Sequence, residues 1–477
     1  MNYDVAVIGA GVTGGLTAAA LARYRLGVCI VEAGADVALG ATKANSAIVH
    51  GGYDPVPETL KAKLNVKGAA MMSDLCRRLD VHYKNNGSMV VAFDEEQLEH
   101  VKMLYERGKT NGVPEISVIT GDEARRLEPA LSKNVVGALL CKSSGIVCPY
   151  DLTIAAVGNA MDNGTDLVCN FRVTSISDDG EFYTLRSEGG DEIKAKYVVN
   201  AAGLGSDEVA RLYGDDYHLV AKKGEYMLLD KSEGGLVSRT IFQTPTKAGK
   251  GILVTPTVDG NLLVGPTSEK TERDDKTTTL EGLDTIKAKA SLSVDGINYR
   301  AVITSFAGLR SSFEESEDFV LEISKHSPRA VNAIGIDSPG LSSSPAIAEY
   351  IVNLLKDAGL GLEENSEYVG TRVSCRHFRT LSDAEKNEMI KNDPSYGRVI
   401  CRCETVTEGE ILSAIRQNPK ATTTDGIKRR TRAGMGRCQA GFCTPFVTEL
   451  IAKELGIAEN QVTKTGGGSR LLLGKRK

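Results

Sequence analysis

The chain has 477 residues, more than one hydrophobic core supports, so two or three domains are expected. Hydrophobic residues at 41%, charged residues at 25% and a net charge of -5 describe an ordinary soluble globular protein and give no support to nucleic-acid binding. No apolar run approaches the roughly 20 residues of a membrane span, and MNYDVAVIGAG runs straight into a folded pattern with no signal peptide, so the expected location is cytoplasmic.

Tyr3 to Ile8 is a β-rich apolar run, followed by the turn Gly9-Ala10-Gly11-Val12-Thr13-Gly14. The alanine-rich LTAAALARYRLG comes next, a helix former closed by Gly27. Val28 to Val31 is a second strand, and it ends at Glu32. Together they form a βαβ unit with a dinucleotide fingerprint. Its first glycines allow a tight turn and close approach of a pyrophosphate, and Gly14 lets helix and strand pack. The helix N-terminus offers N–H donors and partial positive charge to phosphates, while Glu32 would accept from ribose hydroxyls. Spacing alone does not separate FAD from NAD.

Ala38 to Tyr53 is small-residue-rich and polar, more like a ligand-lining loop than a regular element. Helical patterns are predicted over Thr59–Arg78 and Glu95–Gly112. From about Tyr150 to Ser268 the pattern is mainly β, in short runs such as FRVTSI, FYTLRS, KYVVNAA, EYMLLD, GILVTPT and NLLVGPT. A helix is predicted over Thr278–Ser291, then strands at ITSFAGLR and FVLEIS. AVNAIGI and PAIAEYIVNLLKDAG read as a strand and a closing helix. Glu363 to Pro394 reads as a polar linker with one short helix, Ser382 to Lys391. No internal repeat is evident.

Ten cysteines are present, of which six are scattered and four, Cys401, Cys403, Cys438 and Cys443, are grouped in a small, mainly helical module. In a reducing compartment such grouping points to metal or redox chemistry. Cysteines two apart cannot close a relaxed mutual disulfide, yet both can reach an inorganic centre. Four thiolates suit zinc or an iron–sulfur cluster. The absence of a C-x-x-C knuckle among the four weighs towards the cluster, with zinc and free thiols as alternatives.

The segment Gly40-Ala-Thr-Lys-Ala-Asn-Ser-Ala-Ile-Val-His-Gly-Gly-Tyr-Asp54 resembles the flavin-facing stretch of the D-amino-acid-oxidase-like FAD family, and most closely its glycerol-3-phosphate oxidase and dehydrogenase branch. Val198–Gly203, Lys223–Tyr226, Gly251–Pro256, Gly265–Thr267, Ala307–Arg310 and Ser338–Ser342 match in the same order. Ala47 departs mildly, standing where Gly is frequent. The resemblance implies FAD, held by Gly9, Gly11, Gly14, Glu32, Ala33, Thr42, Asn45, Ser46, Val173, Ala202, Gly203, Gly308, Pro339, Gly340, Leu341 and Ser342. The helix N-terminus at Pro339–Ser342 would face the flavin pyrimidine carbonyl. His50, whose side chain titrates near neutrality, is the implied catalytic base. Arg310 is the implied anion anchor, with two parallel donors for phosphate or carboxylate, and Ser46, Lys250 and Ser338 help to hold the substrate.

CRCETVTEGEI and TTDGIKRRTRAGMGRCQAGFC resemble the bacterioferritin-associated-ferredoxin-like module, which implies a 2Fe–2S cluster on the four cysteines. Lys428, Arg429, Arg430, Arg432 and Arg437 would offset its negative charge and raise its potential. The expected fold class is α/β: a Rossmann-like FAD-binding domain with a mainly β substrate subdomain, plus the small helical iron–sulfur module. Expected boundaries are residues 1–370 for the oxidoreductase (substrate part about 150–320), 371–395 for the linker, 396–456 for the module and 457–477 for a flexible basic tail.

The expected activity is a dehydrogenase oxidising sn-glycerol 3-phosphate to dihydroxyacetone phosphate, electrons leaving through the cluster. Expected partners are a second flavoprotein and a small cysteine-containing subunit, with no nucleic acid and with peripheral membrane contact left open. Alternatives are oxidation of L-2-hydroxyglutarate or another 2-hydroxy acid, oxidation of an amino or imino acid, and a non-catalytic electron-transfer subunit.

Overall fold

The computed structural model describes residues 2–244, 251–375 and 378–474. Strand β1 (Asn2–Ile8) runs into helix α1 (Val12–Leu21) and then strand β2 (Val28–Val31), parallel to β1. Helix α2 (Leu60–Arg78) follows, its N-terminus capped by the Thr59 side chain. Further on lie the long strands β3 (Leu219–Leu229) and β4 (Val302–Phe313) and the helix α3 (Gly340–Asp357). Helices α4 (Thr424–Thr431) and α5 (Thr444–Leu455) belong to the C-terminal part.

The first sheet has a parallel centre. Glu192–Asn200 pairs with β1, Ala330–Ile334 pairs with Glu192–Asn200, and Asp166–Val168 extends the sheet beyond β2. Both faces are covered, which explains why β1 is continuously apolar from Val5 to Ile8 rather than alternating. Val5 and Val7 pack with α1 and α3, whereas Ala6 and Ile8 pack with Val209, Ala210 and Tyr213 on the other side.

Among the described residues the second sheet has nine strands. From Glu269–Thr271 it passes through β3, Leu262–Gly265, Leu253–Pro256, Thr240–Gln243, Ser88–Ala92 and Gly137–Cys141 to Ile116–Thr120, with β4 paired antiparallel to β3. This order corrects the expected substrate part at 150–320. Val173–Asp178 and Tyr183–Ser187 extend the nucleotide sheet, and three strands from 88–141 complete the second one. Local alternation marks a strand but does not choose its partner. Pro149–Asp162 is a helix where mainly β structure was expected; it is buried nearly all round, and Pro149 occupies its first turn. The helix expected at Thr278–Ser291 spans Leu280–Ser293, capped by Thr279.

The C-terminal part has its own core, in which Ile411, Ile415, Ile427, Val447 and Ile451 are buried together. A short ribbon, Val399–Cys401 with Val406–Thr407, leads into its helices. The stretch read as a tail folds back over part of its length. Thr424 and Asp425 donate backbone N–H groups to the carbonyls of Thr463 and Lys464, at 3.2 and 3.0 Å. Among the described residues no helix is long and apolar enough to cross a membrane.

Candidate active site

The glycine turn is shaped by close approaches. Gly9 has a left-handed φ of 104°, and a Cβ there would lie 2.5 Å from the Ala201 carbonyl oxygen. A Cβ at Gly14 would overlap the Gly9 carbonyl, so Gly14 serves packing and does not line the cavity. The Val12 N–H donates to Thr42 Oγ1 at 3.0 Å. Glu32 accepts from the N–H groups of Ala10 (2.9 Å) and Gly34 (2.7 Å), which aims its carboxylate and leaves lone pairs for hydroxyl donors.

A cavity of about 1020 Å³ opens over this turn. Gly9, Gly11, Glu32, Ala33, Thr42, Asn45, Ser46, Val173, Ala202, Gly203, Gly308, Pro339, Gly340 and Leu341 line it, as do His50, Arg310 and Ser338. Ser342 does not line it. It is fully buried, and its Oγ accepts the His50 N–H at 2.7 Å while donating to the Ile48 carbonyl at 3.2 Å. Lys250 lies outside the described residues.

His50 is gripped at both ends of its backbone, because Asn65 Nδ2 on α2 donates to its carbonyl at 2.7 Å. The two gripping helices come together at Gly68, where a Cβ would overlap the Ser342 carbonyl. The imidazole packs beside Phe242, with ring centroids 5.6 Å apart. Tyr226 places its hydroxyl 3.3 Å from Ser46 Oγ and stacks on Phe306. Sequence reasoning missed Asn65 and Phe242 and gave Tyr226 no role. Tyr226 carried a signal, since it closes the Lys223–Tyr226 match.

Arg310 projects from β4, where its Nη2 donates to the Thr267 carbonyl (3.1 Å) and its Nη1 to Ser268 Oγ (3.4 Å). Gly224 leaves it room, since a Cβ there would lie 2.7 Å from Nη2. Among the described residues no carboxylate pairs with Arg310, so its charge is available to an anion in the cavity.

The four grouped cysteines stand as two pairs. Cys401 ends a strand and Cys443 caps the start of α5. Gln439 and Ala440 take left-handed φ values of 47° and 73°, bending the chain between Cys438 and Cys443. The Cys401 thiol is lowered to about 6 by a hydrogen bond with Cys443 and by backbone hydrogen bonds at Gly434 and Glu404; its donor partner Cys443 is pushed up. Cys403 and Cys438 form the second hydrogen-bonded pair. A Cβ at Gly436 would overlap Cys403, so the chain passes there only as glycine. Among the described residues no three His, Cys, Asp or Glu side chains converge on a single-ion site. Four thiols are the number that a two-iron centre needs, two ligands on each iron.

Comparison with known proteins settles the family. Residues 4–354 match the FAD dependent oxidoreductase family (DAO), and residues 399–453 match the BFD-like 2Fe-2S binding domain. The chain belongs to the FAD-dependent oxidoreductase family. A glycerol 3-phosphate dehydrogenase of Caloramator mitchellensis is 44% identical over 479 residues, covering 100% of this chain and 99% of that protein. A glycerol 3-phosphate oxidase of Mycoplasma genitalium is 33% identical over 74% of this chain and 94% of its own length. Among solved structures, the dithionite-reduced L-alpha-glycerophosphate oxidase of Mycoplasma pneumoniae with FAD bound superposes with a TM-score of 0.74 at 28% identity, over 78% of this chain and 98% of that one.

This oxidoreductase therefore takes FAD, and its C-terminal domain is a 2Fe–2S binding domain. The basic residues near the cysteines need a different account from the one expected. Arg432 pairs with Asp259 and Glu404, Arg379 with the same two carboxylates, and Arg437 with Asp230. Arg429 and Arg430 both reach Asp36. Four of the five cations are thus consumed in docking the cluster domain onto the flavin domain. Sequence adjacency to the cysteines did not reveal partners more than a hundred residues away.

Proposed function

We propose that this enzyme oxidises sn-glycerol 3-phosphate to dihydroxyacetone phosphate and passes the electrons through its cluster, one at a time, to a partner protein. The observation that carries the reading is that one cavity holds both His50, gripped front and back, and Arg310, a cation with no carboxylate partner among the described residues. The full-length similarity to a glycerol 3-phosphate dehydrogenase supports the substrate.

Arg310 holds the phosphate by charge-assisted hydrogen bonds, helped by Lys250 and Ser338. His50 takes the proton of the secondary hydroxyl, and Ser46, tied to Tyr226, orders that end of the substrate. Bound FAD would supply a hydride acceptor for the carbon bearing that hydroxyl, and a bound cluster would supply one-electron chemistry. Pro339, Gly340 and Leu341 turn the N-terminus of α3 towards the cavity, where its partial positive charge stabilises a developing anion. Exposure at the other site is consistent with a partner there: Cys403 is exposed, and Phe442, beside Cys443, is 80% exposed. The partners we expect are a second flavoprotein and a small cysteine-containing subunit.

The test is anaerobic bleaching of the bound flavin by candidate substrates. Glycerol 3-phosphate should bleach it and L-2-hydroxyglutarate should not. The reverse result would give the enzyme to the 2-hydroxy acids, a choice kept in view by the human L-2-hydroxyglutarate dehydrogenase, 32% identical over 56% of this chain.

A further inference from the structure

Beneath the loop that follows β2, one buried carboxylate joins the two domains. Asp36 is 6% exposed. Its Oδ1 accepts from the Val37 N–H and from Arg430 Nη2, each at 2.8 Å. Its Oδ2 accepts from Arg430 Nη1 at 2.8 Å and from Arg429 Nη2. Arg430 thus grips the carboxylate with two parallel bonds, the geometry in which guanidinium is most selective. The remaining Arg430 donors go to the carbonyls of Pro419 and Gly426. Gly426 admits the carboxylate, since a Cβ there would lie 3.2 Å from Oδ2. A second contact lies alongside, where a Cβ at Gly466 would overlap Ala35.

The loop so held is the one that shapes the cofactor cavity. Glu32, Ala33 and Gly34 line the cavity before Asp36, and Leu39 to Asn45 line it afterwards. Between them Ala38 takes a left-handed φ of 60° and donates its N–H to the Ala10 carbonyl, inside the glycine turn, at 2.9 Å. A non-glycine residue held there needs surroundings that over-determine it. The FAD-bound Mycoplasma oxidase is nearly spanned by 78% of this chain, so such a cavity can stand without a cluster domain. In this chain Asp36 makes the difference, because a buried carboxylate stripped of its two guanidinium partners would be left uncompensated.

We propose that Asp36, Arg429 and Arg430 are positioning residues for FAD: the cluster domain braces the cofactor loop, and FAD affinity and domain docking are linked. Reciprocity requires that FAD, in turn, tighten the cluster domain. The inference stands on the cofactor and not on the choice of substrate. FAD is titrated into the full-length apo-flavin protein, with the cluster in place, and followed by flavin fluorescence. Asp36→Asn and Arg430→Gln should each raise the FAD dissociation constant at least tenfold, and the double variant should cost less than the two combined. The cluster absorption should be retained. In the unaltered protein, FAD should slow hydrogen exchange of the α4 amides as well as those of residues 33–38. Dissociation constants within twofold of the unaltered protein in both variants would overturn the proposal. So would α4 exchange that is indifferent to FAD, a measurement that decides the matter even if neither variant folds.

Discussion

The cavity and the cysteine centre hold their groups by opposite means. The cavity is deep, and its shape comes from backbone: Gly9 against Ala201, Gly308 against Ala44, and Gly68 bringing α2 onto α3. Neighbours fix key groups in it, as two N–H groups orient the Glu32 carboxylate and as Asn65 and Ser342 hold the His50 backbone. The cysteine centre is shallow and built from side chains, four thiols with one of them exposed. A site proposed to exclude water while a proton leaves oxygen and a hydride leaves carbon benefits from enclosure. A centre that only hands on electrons needs an edge near the surface. Between them lies an interface of buried ions, where Arg432, Arg379 and Lys231 converge on Glu404.

This division can be broken from either side. The largest effect is expected from His50→Ala, which should slow anaerobic flavin bleaching by about 10²–10⁴, the usual worth of a positioned base, with the cluster spectrum intact. An unchanged bleaching rate would remove His50 as the base. Cys401→Ser should do the converse. Cluster absorption should vanish and turnover with a one-electron acceptor should fall by at least the roughly 10–100-fold that outer-shell changes cost metal sites, while the first bleaching keeps its rate. Equal loss of both rates would show that the two sites do not act in sequence.

Arg310→Met should lower kcat/KM for glycerol 3-phosphate by about 10–100-fold, corresponding to roughly 1.5–3 kcal/mol for a hydrogen bond to a charged group. Steady-state rates at two phosphate-free ionic strengths would check it. The smallest effect concerns pH. Burial pushes the Asp36 carboxyl up, but Arg430 and Arg429 outweigh it and hold the group below its usual range. A depressed carboxyl contributes stability that is complete above its unfolded value of about 4 and is lost as pH falls through the lower folded value. FAD retention on gel filtration should therefore be flat from pH 8 to 5 and decline only in stronger acid.

Parts of both sites were readable from short stretches of chain. The glycine turn with Glu32, and the four cysteines, announce themselves because each is set by local geometry: a backbone that must approach closely, or thiols at fixed spacing. Ser342 was read as facing the flavin and instead lies under His50, because a helix N-terminus offers several groups and only packing says which points where. Asn65 was given no role, since a buried asparagine in an amphipathic helix looks like any other polar residue until its partner is known. The arginines beside the cysteines were assigned to the nearest charge in sequence, and the fold gave most of them to carboxylates of the other domain.

Resemblance to known families supplied the family and both cofactors, while the amino-acid sequence by itself determined the βαβ start and the grouping of the four cysteines. It could do so because tight turns and ligand spacings are properties of a few consecutive residues. Only the tertiary structure decided which strands share a sheet, what grips His50, and that the cluster domain reaches back to Asp36. Those outcomes depend on partners distant along the chain, and burial, not local pattern, selects among them.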